Sequence, residues 1–115
     1  MSNIKNLAIH QKNELPSNIE AEQTLIGSIL ENNEMFDEIS DVVTTDHFYD
    51  DINKKIFSVI SNLISKGLLA NPITLKNFFN KEEQLQEIGG SEYLVKLTKV
   101  STTKTQIKFY VNLLS

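Results

Sequence analysis

The stretch DDINKKIFSVISNLISKG, Asp50–Gly67, decides the fold class. Ile52, Ile56, Phe57, Ile60, Leu63 and Ile64 recur at steps of three and four, which places them on one face of a helix. Asp50 and Asp51 sit at its positive end, Lys66 in its last turn and Gly67 just past it, matching the helix dipole and a glycine stop. An apolar stripe of that width needs other elements to cover it.

Upstream, LPSNIEAEQTLIGSILEN (Leu15–Asn32) predicts a second long helix. Ser17 and Glu20 match the S-x-x-E capping box, each side chain meeting the other residue's backbone N–H. Ala21, Leu25 and Ile29, with Ile26 and Leu30, form its apolar face, while Gly27 and Ser28 leave room for a neighbouring helix. Glu20 and Glu22 stand two apart, so on a helix they diverge and make no acid–base pair. Glu22 reads as a solvated charge favoured by the dipole. Residues 1–14 are polar without a period and read as a flexible tail. Between the two long helices, a short one is expected from Glu34 to Val43, with Met35 or Phe36, Ile39, Val42 and Val43 inward. TTDHFY then reads as a capped helical turn.

Downstream, Asn71–Pro72 punctuate and Thr74 caps a short helix carrying Leu75, Phe78 and Phe79. Leu85 and Ile88 lie on a further turn that ends at Gly89–Gly90. SEYLVKLTKV and TKTQIKFYVNLL predict two more helices, joined through Ser101–Thr103. No segment alternates as a strand would, so the expected fold is all-α, a compact bundle of roughly six to seven short helices. The last helix ends without glycine, proline or cap, as a helix truncated out of a longer protein would.

The 115 residues suffice for one domain with a core, and 40% hydrophobic with 23% charged is ordinary for a soluble protein. No apolar run approaches a bilayer span, and the start shows no secretory signal. The absence of cysteine removes thiolate metal sites and thiol nucleophiles together. Net charge is −4 and all 11 basic residues are lysine, which disfavours a stand-alone nucleic-acid binder or nucleotide hydrolase. The four glycines, at 27, 67, 89 and 90, fit no phosphate-binding loop. DHFYDD (46–51) is the densest set of metal-ligating types, yet Asp50 and Asp51 are explained by the helix start, and the other histidine, His10, lies in the tail. Neither catalytic, cofactor-binding nor metal residues are therefore assigned. In Phe48–Tyr49 and Phe109–Tyr110 both rings cannot point inward, so one of each pair should be partly exposed.

Read together, LPSNIEAEQTLIGSIL, DHFYDDINKKIFSVI, ITLKNFF, LQEIGGSEYLVKL and IKFYVNLL resemble the N-terminal domain of bacterial DnaB-type replicative DNA helicases. The resemblance runs from Leu15 to Leu114, in the family's order and spacing. Three departures stand out: Thr45 where proline is common, Asn53 where histidine is frequent, and Asn71–Pro72 for an acidic–aliphatic pair. They are expected to touch caps and turns more than the core.

The resemblance implies a non-catalytic collar of a cytoplasmic, bacterial hexameric helicase, assembled as a trimer of dimers and recruiting primase at the replication fork. It divides the chain into a tail (1–14), a globular helical domain (15–100) and the truncated start of a hairpin helix (101–115). It leaves ATP, magnesium and the motor domain to an absent part of the parent protein, and DNA contact to the full-length ring. Partners are other subunits, primase and, as a further candidate, a helicase loader; no membrane is involved. Tyr93 is the candidate primase-facing residue, with a half-buried residue packing on Leu97 as the equal alternative. Ile107, Phe109, Tyr110, Leu113 and Leu114 are the candidate subunit contacts. The competing reading is a small helical DNA-binding regulator, in which the short helices of 74–90 imitate a helix-turn-helix.

Overall fold

The computed structural model describes residues 16–79, 86–87 and 89–115, with side chains from residue 19 onward. The 1–14 tail, Leu85, Ile88 and the Ser17 side chain, and with it the Ser17–Glu20 capping box, lie outside the described residues. Among those described there are six α-helices, a single 3₁₀ turn and no strand: α1 Pro16–Glu31, α2 Met35–Ser40, the 3₁₀ turn Thr45–His47, α3 Asp51–Ser65, α4 Pro72–Lys76, α5 Ser91–Thr98 and α6 Ile107–Leu114.

Helix α3 forms as its sequence dictates. The Asp50 carboxylate accepts the Asn53 N–H at 2.9 Å and caps the start. At the other end Gly67 adopts φ 76°, its N–H donating to the Ile64 carbonyl and the Leu68 N–H to the Leu63 carbonyl, both at 2.9 Å. That closure needs a left-handed residue, which glycine supplies without strain. Ile52, Ile56, Phe57, Ile60 and Leu63 are all buried, and Ile64 packs at the margin. The Phe57 ring lies 4.8 Å from Phe48 and 5.9 Å from Phe36, centroid to centroid, so the aromatic cluster ties the 3₁₀ turn and α2 to α3.

Helix α1 packs against α5, α6, α3 and α2, while α4 lies against α5 and α3. Ala21, Leu25, Ile26 and Ile29 are wholly buried. Gly27 and Ser28 are where α1 meets the end of α5. A β-carbon on Gly27 would overlap the Leu97 carbonyl. The Ser28 hydroxyl donates to the Thr24 carbonyl at 2.7 Å and accepts the Thr102 N–H at 2.9 Å. The small pair thus lets backbone touch backbone, as the sequence predicts.

Three local expectations need correcting. Helix α2 stops at Ser40, short of Val43, with Asp41 as its C-cap and no basic residue in its last turn to favour the negative end of the dipole. The chain then turns, Val42 faces outward at 45% exposure and Val43 alone reaches the core. The short helix α4 is capped by Asn71 rather than Thr74. The Asn71 Oδ1 accepts the Thr74 N–H at 2.9 Å and the Thr74 hydroxyl oxygen accepts the Asn71 N–H at 3.0 Å, with Pro72 at the first helical position. Leu75 and Phe79 are buried, whereas Phe78 is exposed.

Asn33 does more than end α1. Its Oδ1 accepts the Ala70 N–H and its Nδ2 donates to the Ala70 carbonyl, both at 2.8 Å, so it pins the chain after α3 to the end of α1.

Gly27→Ala is expected to lose about 3 kcal/mol of stability, the upper range for overpacking, because the obstructing atoms are backbone. Urea unfolding of the two proteins checks this; a loss of only a few tenths would mean that α5 slides away freely.

Candidate functional site

Glu22 is the feature that the sequence reading places wrongly. It is not a solvated charge: it is 1% exposed. Its Oε2 accepts the Tyr49 N–H at 2.6 Å, and its Oε1 accepts the Asp50 N–H at 3.3 Å and the Asn53 Nδ2 at 3.0 Å. One carboxylate on α1 therefore holds the turn that opens α3 and the first turn of α3 itself. Asn53 is wholly buried and belongs to the core, contrary to the expectation that this position concerns caps and turns. Its Oδ1 accepts the Tyr93 hydroxyl at 2.7 Å, and the Tyr93 oxygen in turn accepts Gln23 Nε2 at 3.3 Å. Four side chains from α1, α3 and α5 are joined in one polar line through an apolar core.

A signal for this was present. Glu22 stands on the same stripe as Leu25, Ile26 and Ile29, and Asn53 on the same stripe as Ile56, Phe57 and Ile60. A polar residue at i of an i+3, i+4, i+7 apolar pattern points into the core and needs a partner there.

Burial pushes the Glu22 carboxyl above its ordinary value of 4.5, working against the donors from Asn53, Tyr49 and Asp50 that favour the ionised form, while the Asp50 charge adds to the rise. The Tyr93 hydroxyl is likewise raised above 10.0, first by burial and then by the nearby charges of Asp50 and Glu22. Both groups are held by hydrogen bonds to neighbours. Chemically the arrangement is a joint, since three N–H donors from the start of α3 and the turn before it converge on the carboxylate.

A cavity of about 350 Å³ adjoins the joint, lined by Glu22, Asp46, His47, Phe48, Tyr49, Leu113 and Leu114. His47 has a local task there: its Nδ1 accepts the Thr44 N–H at 2.8 Å and caps the 3₁₀ turn. Among the described residues no group of three or more His, Cys, Asp or Glu side chains could hold a metal ion.

The remaining candidates separate cleanly. Glu20 is exposed on α1. Tyr93 is half-buried with its hydroxyl turned inward, an orientation that only its hydrogen-bond partners reveal. On α6, Ile107 is wholly buried in the chain's own core, with Val111 one turn on. Tyr110 and Leu114 pack against the core margin, while Phe109 is 62% and Leu113 38% exposed. Each Phe–Tyr pair thus has one outward ring, Tyr49 and Phe109.

Tyr93→Phe leaves the Asn53 Oδ1 buried without its donor and is expected to lose about 1–3 kcal/mol, read by urea unfolding. An unchanged midpoint would show that the hydroxyl is replaceable by water.

Glu22 also sets a pH dependence. Its folded value lies above its unfolded one, so the native state binds the proton more tightly. That contribution is complete below the ordinary glutamate range and is lost as pH rises through the raised folded value. Against Glu22→Gln, which does not titrate, the wild-type Tm should therefore fall as pH goes from about 4 to about 7. A relative rise over that range would mean that the hydrogen-bond donors outweigh burial.

Comparison with known proteins agrees with this architecture. Residues 14–115 match the family model described as DnaB-like helicase N terminal domain. The replicative DNA helicase DnaB of Rickettsia felis is 41% identical over 107 residues, covering 88% of this chain and 22% of that protein. The DnaB of Rickettsia typhi is 46% identical over 87 residues, covering 76% of this chain and 18% of its relative. The chain thus spans about a fifth of the length of these curated relatives. The crystal structure of the N-terminal domain of DnaB helicase from Mycobacterium tuberculosis shares the fold, with a TM-score of 0.74 at 22% identity over 84% of this chain and 67% of that one. With the family model covering nearly its whole length, the chain belongs to the DnaB-like helicase N-terminal domain family.

Proposed function

We propose that this chain is the non-catalytic collar of a replicative DNA helicase, supporting a hexameric ring built as a trimer of dimers and recruiting primase to the fork. Family membership carries the helicase assignment. What supports an assembly role within the chain is the outward face of α6. Phe109 and Leu113 stand one turn apart and exposed, while Ile107 and Val111 on the opposite side seal the core. Neither side chain is buried in the core: Phe109 meets the Tyr110 ring, and Leu113 borders the cavity beside Glu22.

Residues 15–100 serve as the globular unit and 101–115 as the start of a pairing hairpin in this reading. The half-exposed ring of Tyr93 is kept as the candidate primase-facing residue, and a helicase loader as a further partner. ATP, magnesium and DNA translocation belong to the motor domain of the parent protein, which acts in the bacterial cytoplasm. No described helix is long and apolar enough to cross a membrane. The DNA-binding alternative rested on 74–90, part of which lies outside the described residues, and family membership takes its place.

Sedimentation of the purified chain is expected to show weak, concentration-dependent dimerisation that Phe109→Glu abolishes, with calorimetry detecting saturable binding of a cognate primase's C-terminal domain to both proteins. Dimerisation indifferent to Phe109→Glu would remove α6 from the pairing surface. Absence of saturable heat with primase would remove the recruitment role.

A further inference from the structure

The hydrogen bonds through the core all run in one direction. Gln23 Nε2 donates to Tyr93 at 3.3 Å, the Tyr93 hydroxyl to Asn53 Oδ1 at 2.7 Å, and Asn53 Nδ2 to Glu22 Oε1 at 3.0 Å. The line starts at half-buried Gln23 and ends on a carboxylate that is 1% exposed. Every member ahead of Glu22 can both donate and accept: each amide carries an oxygen and an NH₂ on ends of nearly equal shape, and a phenol hydrogen rotates about its C–O bond. Glu22 alone is fixed in its role, as an acceptor while ionised. It also borders the 350 Å³ cavity, which gives water a route to a group otherwise sealed.

We propose that Gln23, Tyr93, Asn53 and Glu22 form a hydrogen-bond line of reversible polarity, which turns over as a unit when Glu22 takes up a proton and so keeps the joint closed in both states. The proton comes from water entering the cavity and stays on Glu22; no bond between heavy atoms forms or breaks. The new O–H donates to Asn53 Oδ1 once that amide has turned over. Asn53 Nδ2 then donates to the Tyr93 oxygen, and the Tyr93 hydroxyl donates to the Oε1 of a Gln23 amide turned likewise. The count of hydrogen bonds is unchanged. The Tyr49 and Asp50 N–H groups keep their acceptors, because a neutral carboxyl retains lone pairs on both oxygens.

An ordinary buried carboxylate behaves differently. Its partners are fixed donors, and protonation places a hydrogen against one of them. Here the buried partner that would be opposed is an amide able to reverse, and the reversal passes down the line to Gln23, where solvent accepts either orientation. Among the described residues, the charged and titratable groups around Glu22 are few. Asp50 faces it from the turn before α3, Tyr93 stands behind Asn53 on α5, and Asp46 and His47 line the cavity from the 3₁₀ turn. Helix α6 brings only Leu113 and Leu114 to that cavity.

The test is a pH titration of the isotopically labelled 115-residue chain by NMR. The Glu22 carboxyl carbon reports its own proton, separately from Asp46, His47 and Asp50. The Asn53 and Gln23 side-chain amide resonances should shift with the same midpoint as that carbon, while the Tyr49 and Asp50 backbone amides stay protected from exchange throughout. In Glu22→Gln, where the fixed Tyr49 N–H holds the amide oxygen and so turns the NH₂ toward Asn53, the Asn53 and Gln23 resonances should sit at neutral pH where the wild type reaches them only in acid. Titration of Glu22 with the Asn53 and Gln23 amides unmoved would overturn the proposal. So would loss of Tyr49 amide protection at the Glu22 midpoint, which would mean that protonation opens the joint. The wild-type titration decides the matter even if Glu22→Gln does not fold.

Discussion

A carboxylate removed from water needs donors to replace the water it has lost, and in this domain the Glu22 carboxylate finds them on another element. The requirement is strict because a buried charge left without partners is among the larger single penalties a small fold can carry, about 3–5 kcal/mol when one partner of a buried pair is removed. Meeting it fixes where α3 begins relative to α1, since two of the donors are backbone N–H groups of the turn at 49–50. Asn53 then passes the constraint to Tyr93, which brings α5 to the same place. The apolar stripes supply the bulk of the driving force for collapse. They are tolerant of small slides, whereas hydrogen-bond geometry is not. The buried polar line is what selects one arrangement from the several that greasy helices would accept.

The same division explains how far the sequence could be read. The helices of 16–31, 51–65, 91–98 and 107–114 are visible as three- and four-residue periodicity, because their faces are decided locally by burial. The stops at Gly67 and at Asn32–Asn33 are visible as chemistry that a helix end demands. The roles of Glu22, Asn53 and Tyr93 are tertiary facts. Glu22 near a helix start is well explained by the dipole alone, and that sufficient local explanation hides the long-range one. Only its position on the stripe of Leu25, Ile26 and Ile29 argues otherwise. His47 shows the reverse case: a residue type that suggests metal chemistry turns out to accept a backbone N–H three residues back. The family resemblance, which depends on several short motifs in order, carries further than any one residue and is matched by the family model over residues 14–115.

The two faces of α6 separate the domain's inside from its outside. Helix α6 commits Ile107 and Val111 inward and leaves Phe109 and Leu113 outward, so one short helix both completes the core and presents a surface. The Phe109 and Tyr110 rings meet edge to face at 5.2 Å, which stiffens the exposed ring against a residue that is itself packed on the core. An exposed ring braced in this way has little rotamer freedom left to lose.

The joints that centre on α1 span most of the chain: Gln23 reaches Tyr93, and Ser28 reaches the backbone of Thr102. This has a consequence for the order of events on the ribosome. Of the described helices, α1 precedes the others, and two of the helices packed on it, α5 and α6, come last. A nascent chain that ends before residue 93 has α1 and α3 but neither the hydroxyl that Asn53 needs nor the backbone that fills the groove at Gly27. Such a chain can pair Glu22 with the turn at 49–50, yet it leaves an apolar flank of α1 open until α5 and α6 emerge. Synthesis therefore passes through a stage at which half a core waits for its lid, which α5 and α6 supply.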